Sequence, residues 1–214
     1  MTEKIISRIG EKFPLEKIDC DGFSKMKAGG MTFDISAYKA QGLGHVSVMR
    51  AKGFFGLMKM DTVIINPTEL DMPLYSYDRI FAMGNDTLIV EMYDTVVTEF
   101  SEEQMHGIKA EYYDLAERDA GEHWYDNIKL ASSISKKGKK EHTERLSELA
   151  LRHFDAYLAS SARTADGAEK RRLASEYVEG LLSKGGPSTD VFKKHLGDEK
   201  CALLFRKILF GTVE

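Results

Sequence analysis

The sequence predicts an α+β fold, a three-layer α/β/α sandwich around a central antiparallel sheet. Between about residues 31 and 97, β-branched and aromatic residues recur in short runs broken by turn residues. After Ser101 the apolar residues return at helical spacing instead. The joints between the early runs are too short for crossover helices, so neighbouring strands must run antiparallel. Each apolar face needs cover, which a sheet followed by helices supplies in layers.

Thr2 is placed to cap an amphipathic helix carrying Ile5, Ile6, Ile9 and Phe13, with Pro14 just beyond it. A link through Asp21-Gly22 and Gly29-Gly30 follows. Strands are expected at about 31–38, 44–51, 57–66, 75–83 and 87–97, joined at Gln41-Gly42, Gly53 to Gly56, Pro67 to Pro73 and Gly84-Asn85. Ser101-Glu102-Glu103-Gln104 has a capping-box pattern, and Met105, Ile108, Tyr112 and Leu115 then share one helical face. A second helix is expected at about 140–158, with Leu146, Leu149, His153, Phe154 and Tyr157 as its stripe. A third spans about 168–182, stopped by Gly185-Gly186-Pro187. Ser188 is placed to cap a fourth, which Gly197 ends, and Asp198 a fifth that reaches Phe210. The early helix is expected on one sheet face and the late helices on the other. Residues 1–214 are expected to form one domain, with its sheet at about 31–97 and its helices mainly at 101–214.

Composition excludes several functions. The net charge of −4 gives no positive field for nucleic acid. Two distant cysteines, Cys20 and Cys201, are too few for an iron–sulfur cluster and read as reduced thiols. The start Met1-Thr2-Glu3-Lys4 lacks the apolar stretch of a secretion signal, and no apolar run approaches the ~20 residues of a membrane helix. The expectation is a cytoplasmic protein with no membrane partner. Gly42-Leu43-Gly44 falls in a hairpin joint, and the P-loop, G-x-S-x-G and H-E-x-x-H patterns are absent. Glu103 and His106 have the spacing of half a di-iron site, but no second copy exists, so no metal site is expected. His123, beside Trp124, and His153 read as hydrogen-bonded or core histidines. The run Lys136, Lys137, Lys139, Lys140 reads as a solvated loop flanking a helix, with a docking patch for an acidic protein as the alternative.

The stretch Ile64-Ile65-Asn66-Pro67-Thr68-Glu69-Leu70-Asp71-Met72-Pro73-Leu74-Tyr75-Ser76-Tyr77-Asp78 resembles a signature of the ferredoxin-dependent bilin reductases. In that family a strand ends at a proline, a short loop leads to a second proline, and the next strand carries an aspartate five residues later, the spacing of Pro73 to Asp78. The loop between the prolines is one residue shorter than in the best-known family form. Val90-Glu91-Met92-Tyr93-Asp94 resembles the family's next strand with its terminal aspartate. Trp124-Tyr125-Asp126-Asn127-Ile128 resembles its tryptophan ahead of a short apolar segment. Pro187 precedes Leu196-Gly197, and Ile208-Leu209-Phe210 closes the chain, both at the family intervals. The resemblance spans most of Met31 to Phe210.

The resemblance implies an α/β/α sandwich that binds a linear tetrapyrrole between the sheet and the C-terminal helices. It implies no bound cofactor, because the family takes single electrons from ferredoxin. The expected partners are therefore a linear tetrapyrrole or similar small molecule, and ferredoxin or another small electron carrier.

By the same resemblance, Asp78 stands at the family's central proton-donating aspartate. A carboxyl on the interior of a sheet has a raised pKa and keeps its proton nearer neutral pH. If Gly84-Asn85 is a two-residue turn, Asp78 lies opposite Glu91, with Ser76, Ile80, Ile89 and Tyr93 on the same face. Tyr77, Phe81, Leu88, Val90 and Met92 would share the other face. The chain departs from the family at three places. Thr62 stands nearest to a histidine or asparagine, Met49 or Arg50 to an acid, and Gly186 to a loop aspartate. A hydroxyl cannot replace a histidine as a general acid near pH 7. Arg50 is a candidate to pair with a propionate, and His45 to donate a proton if it points inward. The candidate catalytic residues are thus Asp78, Glu91 and His45, and the candidate substrate-binding residues Arg50, Thr62, Ser76 and Tyr93. The expected function is reduction of a linear tetrapyrrole or related substrate. The alternatives are a non-catalytic tetrapyrrole-binding protein of the same fold, or a protein-interaction domain whose pocket is filled by Tyr77, Tyr93 and Trp124.

Overall fold

A computed structural model describes residues 1–160, 162–186 and 188–213. The elements in chain order begin with helix α1 (Thr2–Lys12) and strands β1 (Leu15–Ile18), β2 (Lys25–Ala28), β3 (Met31–Ala40), β4 (Gly44–Gly53), β5 (Met58–Pro67), β6 (Leu74–Ala82) and β7 (Asn85–Tyr93). Helix α2 (Glu103–Ala110), strands β8 (Ala116–Glu117) and β9 (Ile134–Lys139), and helices α3 (Thr143–Ala159), α4 (Gly167–Lys184), α5 (Thr189–Leu196) and α6 (Asp198–Leu203) follow. The last turn, Leu204–Leu209, is a π-helix. The strands form one antiparallel nine-stranded sheet in the order β1-β3-β4-β5-β6-β7-β9-β8, with β2 also paired to β3.

The sheet is wider than expected. Strands β1 and β2 occupy the supposed link, and β9 occupies the supposed lysine loop. The reason lies in composition. Strands β2 and β9 are rich in lysine, a residue of low strand propensity, and β1 is a four-residue edge strand, Leu15-Glu16-Lys17-Ile18, with a charged pair at its centre. In β9 the aliphatic stem of Lys136 is buried, while its ammonium donates to the Leu115 carbonyl at 2.9 Å and meets Glu117 at 2.7 Å.

Strand β7 ends at Tyr93 rather than near Val97. The chain is pulled off the sheet where Val97 N, Thr98 N and Thr98 Oγ1 all donate to the buried Asp71 carboxylate. The β6–β7 turn is Met83-Gly84, both at positive φ, one residue earlier than expected. Asp78 therefore faces Ile89, and Ser76 faces Glu91.

Capping also differs from the patterns. Thr2 Oγ1 accepts from Arg50 rather than capping α1, and the Glu102 carboxylate accepts from Ser132 N instead of closing a capping box. Ser188 makes no side-chain cap, and Gly197 rather than Asp198 precedes α6. Asp166 does cap α4, accepting from Ala168 N and Glu169 N.

Two apolar clusters flank the sheet. On one face α1 and α3 pack Ile5, Ile9, Leu146, Leu149, Phe154 and Tyr157 against Val63, Ile65, Tyr75, Tyr77 and Val90. On the other, α4 to the π-turn pack Tyr177, Leu181, Phe192, Phe205 and Phe210 against Phe33, Ile35, Met49, Ile64 and Tyr93. The early helix thus shares its face with α3, and only the helices from α4 onward cover the opposite side. His153 is a core histidine, bonded to the Ser132 carbonyl at 3.1 Å, and its pKa is pushed down to about 4 by burial. Cys20 and Cys201 are buried free thiols.

A buried ion pair ties the β6–β7 hairpin to α3. Arg79 grips Asp86 through Nε at 2.5 Å and Nη2 at 2.7 Å, and Thr143 Oγ1 donates to the same carboxylate at 2.7 Å. Removing one partner would strand a buried charge, so Asp86→Ala should cost about 3–5 kcal/mol in urea unfolding. A loss below about 1 kcal/mol, the level of an exposed pair, would contradict this assignment.

Candidate functional site

Alternation along the central strands decides the chemistry of each face. Facing α3, Val63, Ile65, Tyr75, Tyr77, Val90 and Met92 form core. Facing the late helices, the middle of the sheet carries Thr62, Ser76, Asp78 and Glu91 among Met60, Ile64, Ile80 and Ile89. The helices do not close onto these polar residues. They leave a cavity of about 360 Å³, with Tyr177, Leu181, Phe192, Phe205, Leu209 and Phe210 on its helical side. That lies near the lower end of the roughly 300–1,000 Å³ of small-molecule sites. Arg118, His123 and Tyr125 line another wall.

Asp78 lies at the centre of the floor. Thr62 Oγ1 donates to its Oδ1 at 2.5 Å, and Ser76 Oγ reaches its Oδ2 at 3.5 Å. Burial pushes its pKa up to about 6; the Thr62 bond pulls it back, Glu91's charge raises it, and the Ser76 bond lowers it. The carboxyl is half-buried and borders the cavity, so it meets whatever occupies that space. Glu91 lies diagonally from it across β6–β7. Tyr93 OH donates to Glu91 Oε2 at 2.7 Å, and Lys129 Nζ stands 3.8 Å from Oε1. Burial raises the Tyr93 phenol well above its ordinary pKa, so it remains a donor. The two carboxyls are therefore distinguished: neutral hydroxyls hold Asp78, and a phenol and an ammonium hold Glu91.

An aromatic wall stands beside this pair. Tyr93 packs against Tyr177 at 4.2 Å between centroids and meets the edge of Tyr125 at 5.5 Å. Trp124 closes against α4 at Gly180, where an added Cβ would fall 2.1 Å from its ring, and its Nε1 donates to the Gly185 carbonyl at 2.9 Å. Tyr77 belongs to the opposite face, in the α3 core. The cavity over Asp78 is open, against the alternative of a pocket filled by Tyr77, Tyr93 and Trp124.

Thr62, Ser76, Asp78, Glu91 and Tyr93 are brought together; His45 and Arg50 are not. Arg50 is on the α1 face of β4, where it bonds Thr2 and Glu3 and cannot reach a ligand in the cavity. His45 points toward the late helices, but its Nε2 donates to the Ile208 carbonyl at 2.8 Å. Burial lowers its pKa, which keeps the ring neutral. It belongs to a clamp, because Ser47 Oγ donates to the Leu209 carbonyl and Asn66 Nδ2 to the Phe210 carbonyl, each at 2.7 Å. Gly211, at φ +58°, lets the chain pass His45, whose ring would lie 2.4 Å from an added Cβ.

Arg118, Tyr125, Tyr177 and the π-turn aromatics were not foreseen as cavity residues, and His123, expected as a hydrogen-bonded or core histidine, is half-buried on the cavity wall. The apolar stripe of the last helix was the one available signal for them. Gly186 is described, whereas Pro187 lies outside the described residues. A larger depression, about 970 Å³, lies elsewhere between Asp71, Asp94, Glu102 and Arg163. Asp71 there is already occupied by the Val97 and Thr98 donors. Among the described residues no group of three or more metal-ligating side chains converges, and His106 approaches Glu102 rather than Glu103.

No protein-family model matches this chain, and no curated protein matches it. Among solved structures it is similar to selenomethionine phytochromobilin synthase from tomato in complex with biliverdin, with a TM-score of 0.76 at 12% identity. The match covers 99% of this chain and 82% of that one. The chain thus has the fold of that synthase, an α+β sandwich with a large antiparallel sheet.

Two measurements test this site. Asn66→Ala would strand the Phe210 carbonyl and should cost roughly 1–3 kcal/mol in denaturant unfolding, whereas an unchanged midpoint would deny the clamp. Asp78 is raised from 3.8 to about 6, so the folded state holds this proton more tightly than the unfolded state. The cost of ionising it is absent below about pH 4, grows through the window to pH 6 and is complete above it. Asp78→Asn should therefore match the parent's stability near pH 4 and exceed it by roughly 1–3 kcal/mol at pH 8. Equal stability at both pH values would contradict the raised pKa.

Proposed function

We propose that the chain is a bilin-reductase-like oxidoreductase that binds a linear tetrapyrrole between the sheet and the late helices and protonates it from Asp78. One observation carries this reading. A carboxyl with a raised pKa, Asp78, borders an apolar cavity beside Glu91, in the fold of a phytochromobilin synthase that was solved with biliverdin.

Reducing one double bond of a conjugated bilin takes two electrons and two protons. Ferredoxin or another small one-electron carrier would supply the electrons singly. Each addition raises the basicity of the π-system, and a neutral carboxyl held against it can then transfer a proton. The Thr62 and Ser76 hydroxyls would hold Asp78 in place and stabilise the carboxylate left behind. Glu91, bonded to Tyr93, would pass a replacement proton inward. Arg118 and His123 are the basic side chains on the cavity wall, placed for the carboxylate pairing that the position of Arg50 forbids.

A second reading, a tetrapyrrole carrier without reductase activity, is favoured by one observation. The floor offers Thr62 where the resembled family has a histidine or asparagine, so the second protonating group is weakly provided.

Biliverdin mixed with the protein should change its absorption spectrum. Anaerobic addition of reduced ferredoxin should then convert the pigment only when the protein is present. Asp78→Asn should keep the bound spectrum and lose at least about a hundredfold in rate. The parent's rate should fall as pH rises above about 6. Full turnover by the variant would remove Asp78 from the mechanism. A bound spectrum with no consumption of reducing equivalents would establish the carrier.

A further inference from the structure

One end of the sheet presents a surface that the cavity chemistry does not use. The β4–β5 and β6–β7 hairpin tips lie side by side there, because Met58 begins β5 directly opposite Ala82 at the end of β6. At these tips Phe54, Phe55, Leu57 and Met83 are 56%, 108%, 69% and 89% exposed. A single exposed apolar residue is ordinary, but four on adjacent tips form a patch. Their backbone adds a second observation. Phe54, Phe55 and Met83 have φ of 51°, 56° and 51°, a left-handed conformation that glycine or asparagine adopts more cheaply. Local strain is thus tolerated where it aims apolar side chains into solvent.

Charge supplies the third. Lys52 and Lys59 are exposed and directly opposed across β4–β5, a like-charge pairing that destabilises a sheet unless an anion sits over it. Exposed Lys139 and Lys140 flank the neighbouring end of β9, beside Asn85. The lysine ion pairs among the described residues involve Lys129, Lys136, Lys170, Lys193 and Lys207 instead.

We propose that this end of the sheet docks on an anionic lipid surface, with Phe54, Phe55, Leu57 and Met83 entering the interface and the lysines meeting lipid headgroups. A rigid protein partner packs well against a broad matched surface, whereas protruding tips hold it away. A bilayer deforms around them. Apolar insertion and a basic fringe together provide the two signals that stable surface anchoring needs. None of the described helices is long and apolar enough to cross a membrane, so the contact is peripheral. The half-buried Met31 and Met58, which line the cavity, begin strands at this same end, so docking brings the cavity rim to the lipid.

Sedimentation with vesicles of phosphatidylcholine containing phosphatidylserine, at low and high salt, tests the proposal. The parent protein should co-sediment with these vesicles at low salt and be released by high salt. It should bind vesicles of phosphatidylcholine alone at least about tenfold more weakly. The double variant Phe54→Asn, Phe55→Asn should lose at least about tenfold in partition while melting no lower than the parent, since asparagine suits the left-handed backbone. Lys52→Glu with Lys59→Glu should abolish the salt-sensitive binding. Failure of the parent to sediment, or equal sedimentation of the Phe54/Phe55 variant, would overturn the proposal. So would a parent that self-associates or binds an acidic carrier protein through this patch while ignoring vesicles.

Discussion

The site depends on three hydrogen bonds. A helix that ends in a π-turn leaves carbonyls without intrahelical partners, and in a buried position these need donors. His45, Ser47 and Asn66 provide them from β4 and β5, one each to Ile208, Leu209 and Phe210. The clamp fixes the last turn against one half of the sheet, so Phe205, Leu209 and Phe210 roof the cavity instead of collapsing onto its floor. Trp124 and Gly180 set the opposite wall through a close approach that no other residue at position 180 would allow. The space over Asp78 is what remains between these two fixed boundaries.

Within that space, environment decides which groups can do chemistry. Asp78 and Glu91 are both carboxyls on one sheet face, yet their partners differ. Asp78 sits in an apolar enclosure that favours its neutral form, an effect the Thr62 and Ser76 hydroxyls only partly offset. Glu91 meets Tyr93 and, at a longer distance, Lys129. Pairs of carboxyls with separated environments are how a single site can hold both a proton donor and a route for its replacement. The proposed reductase needs little more from the protein than this, because the carrier would bring the electrons.

Legibility in the sequence follows physical strength of signal. The central strands were readable because both hydrophobic alternation and β-branched composition pointed the same way, as in Ile64, Ile65 and Val90. Strands β1, β2 and β9 were not, because lysines in Lys25-Met26-Lys27 and Lys136-Lys137 hide the period, and their pairing is set by neighbours. Asp78 was legible through its distance from Pro73, and Ser76, Glu91 and Tyr93 through shared parity with it. Parity survived a turn misplaced by one residue, because the resulting shift in partner leaves each side chain on its face. Arg50 failed by that same rule: it belongs to the even set of β4, which faces α1. His45 has the correct parity, but only the tertiary position of the π-turn carbonyls reveals its role. Tyr177 and Phe205 lay within ordinary helical stripes, where nothing local separates a cavity wall from filled core.

The central claim is that a tetrapyrrole occupies the cavity above Asp78. The most direct measurement is biliverdin titration of the parent and of Ile89→Trp, which places an indole on the floor opposite Asp78. The account predicts that the parent shifts the pigment's absorption on binding and that the filled variant, with a matching circular dichroism spectrum, binds at least about tenfold more weakly. Equal binding by a folded Ile89→Trp protein would place the pigment elsewhere and contradict the account.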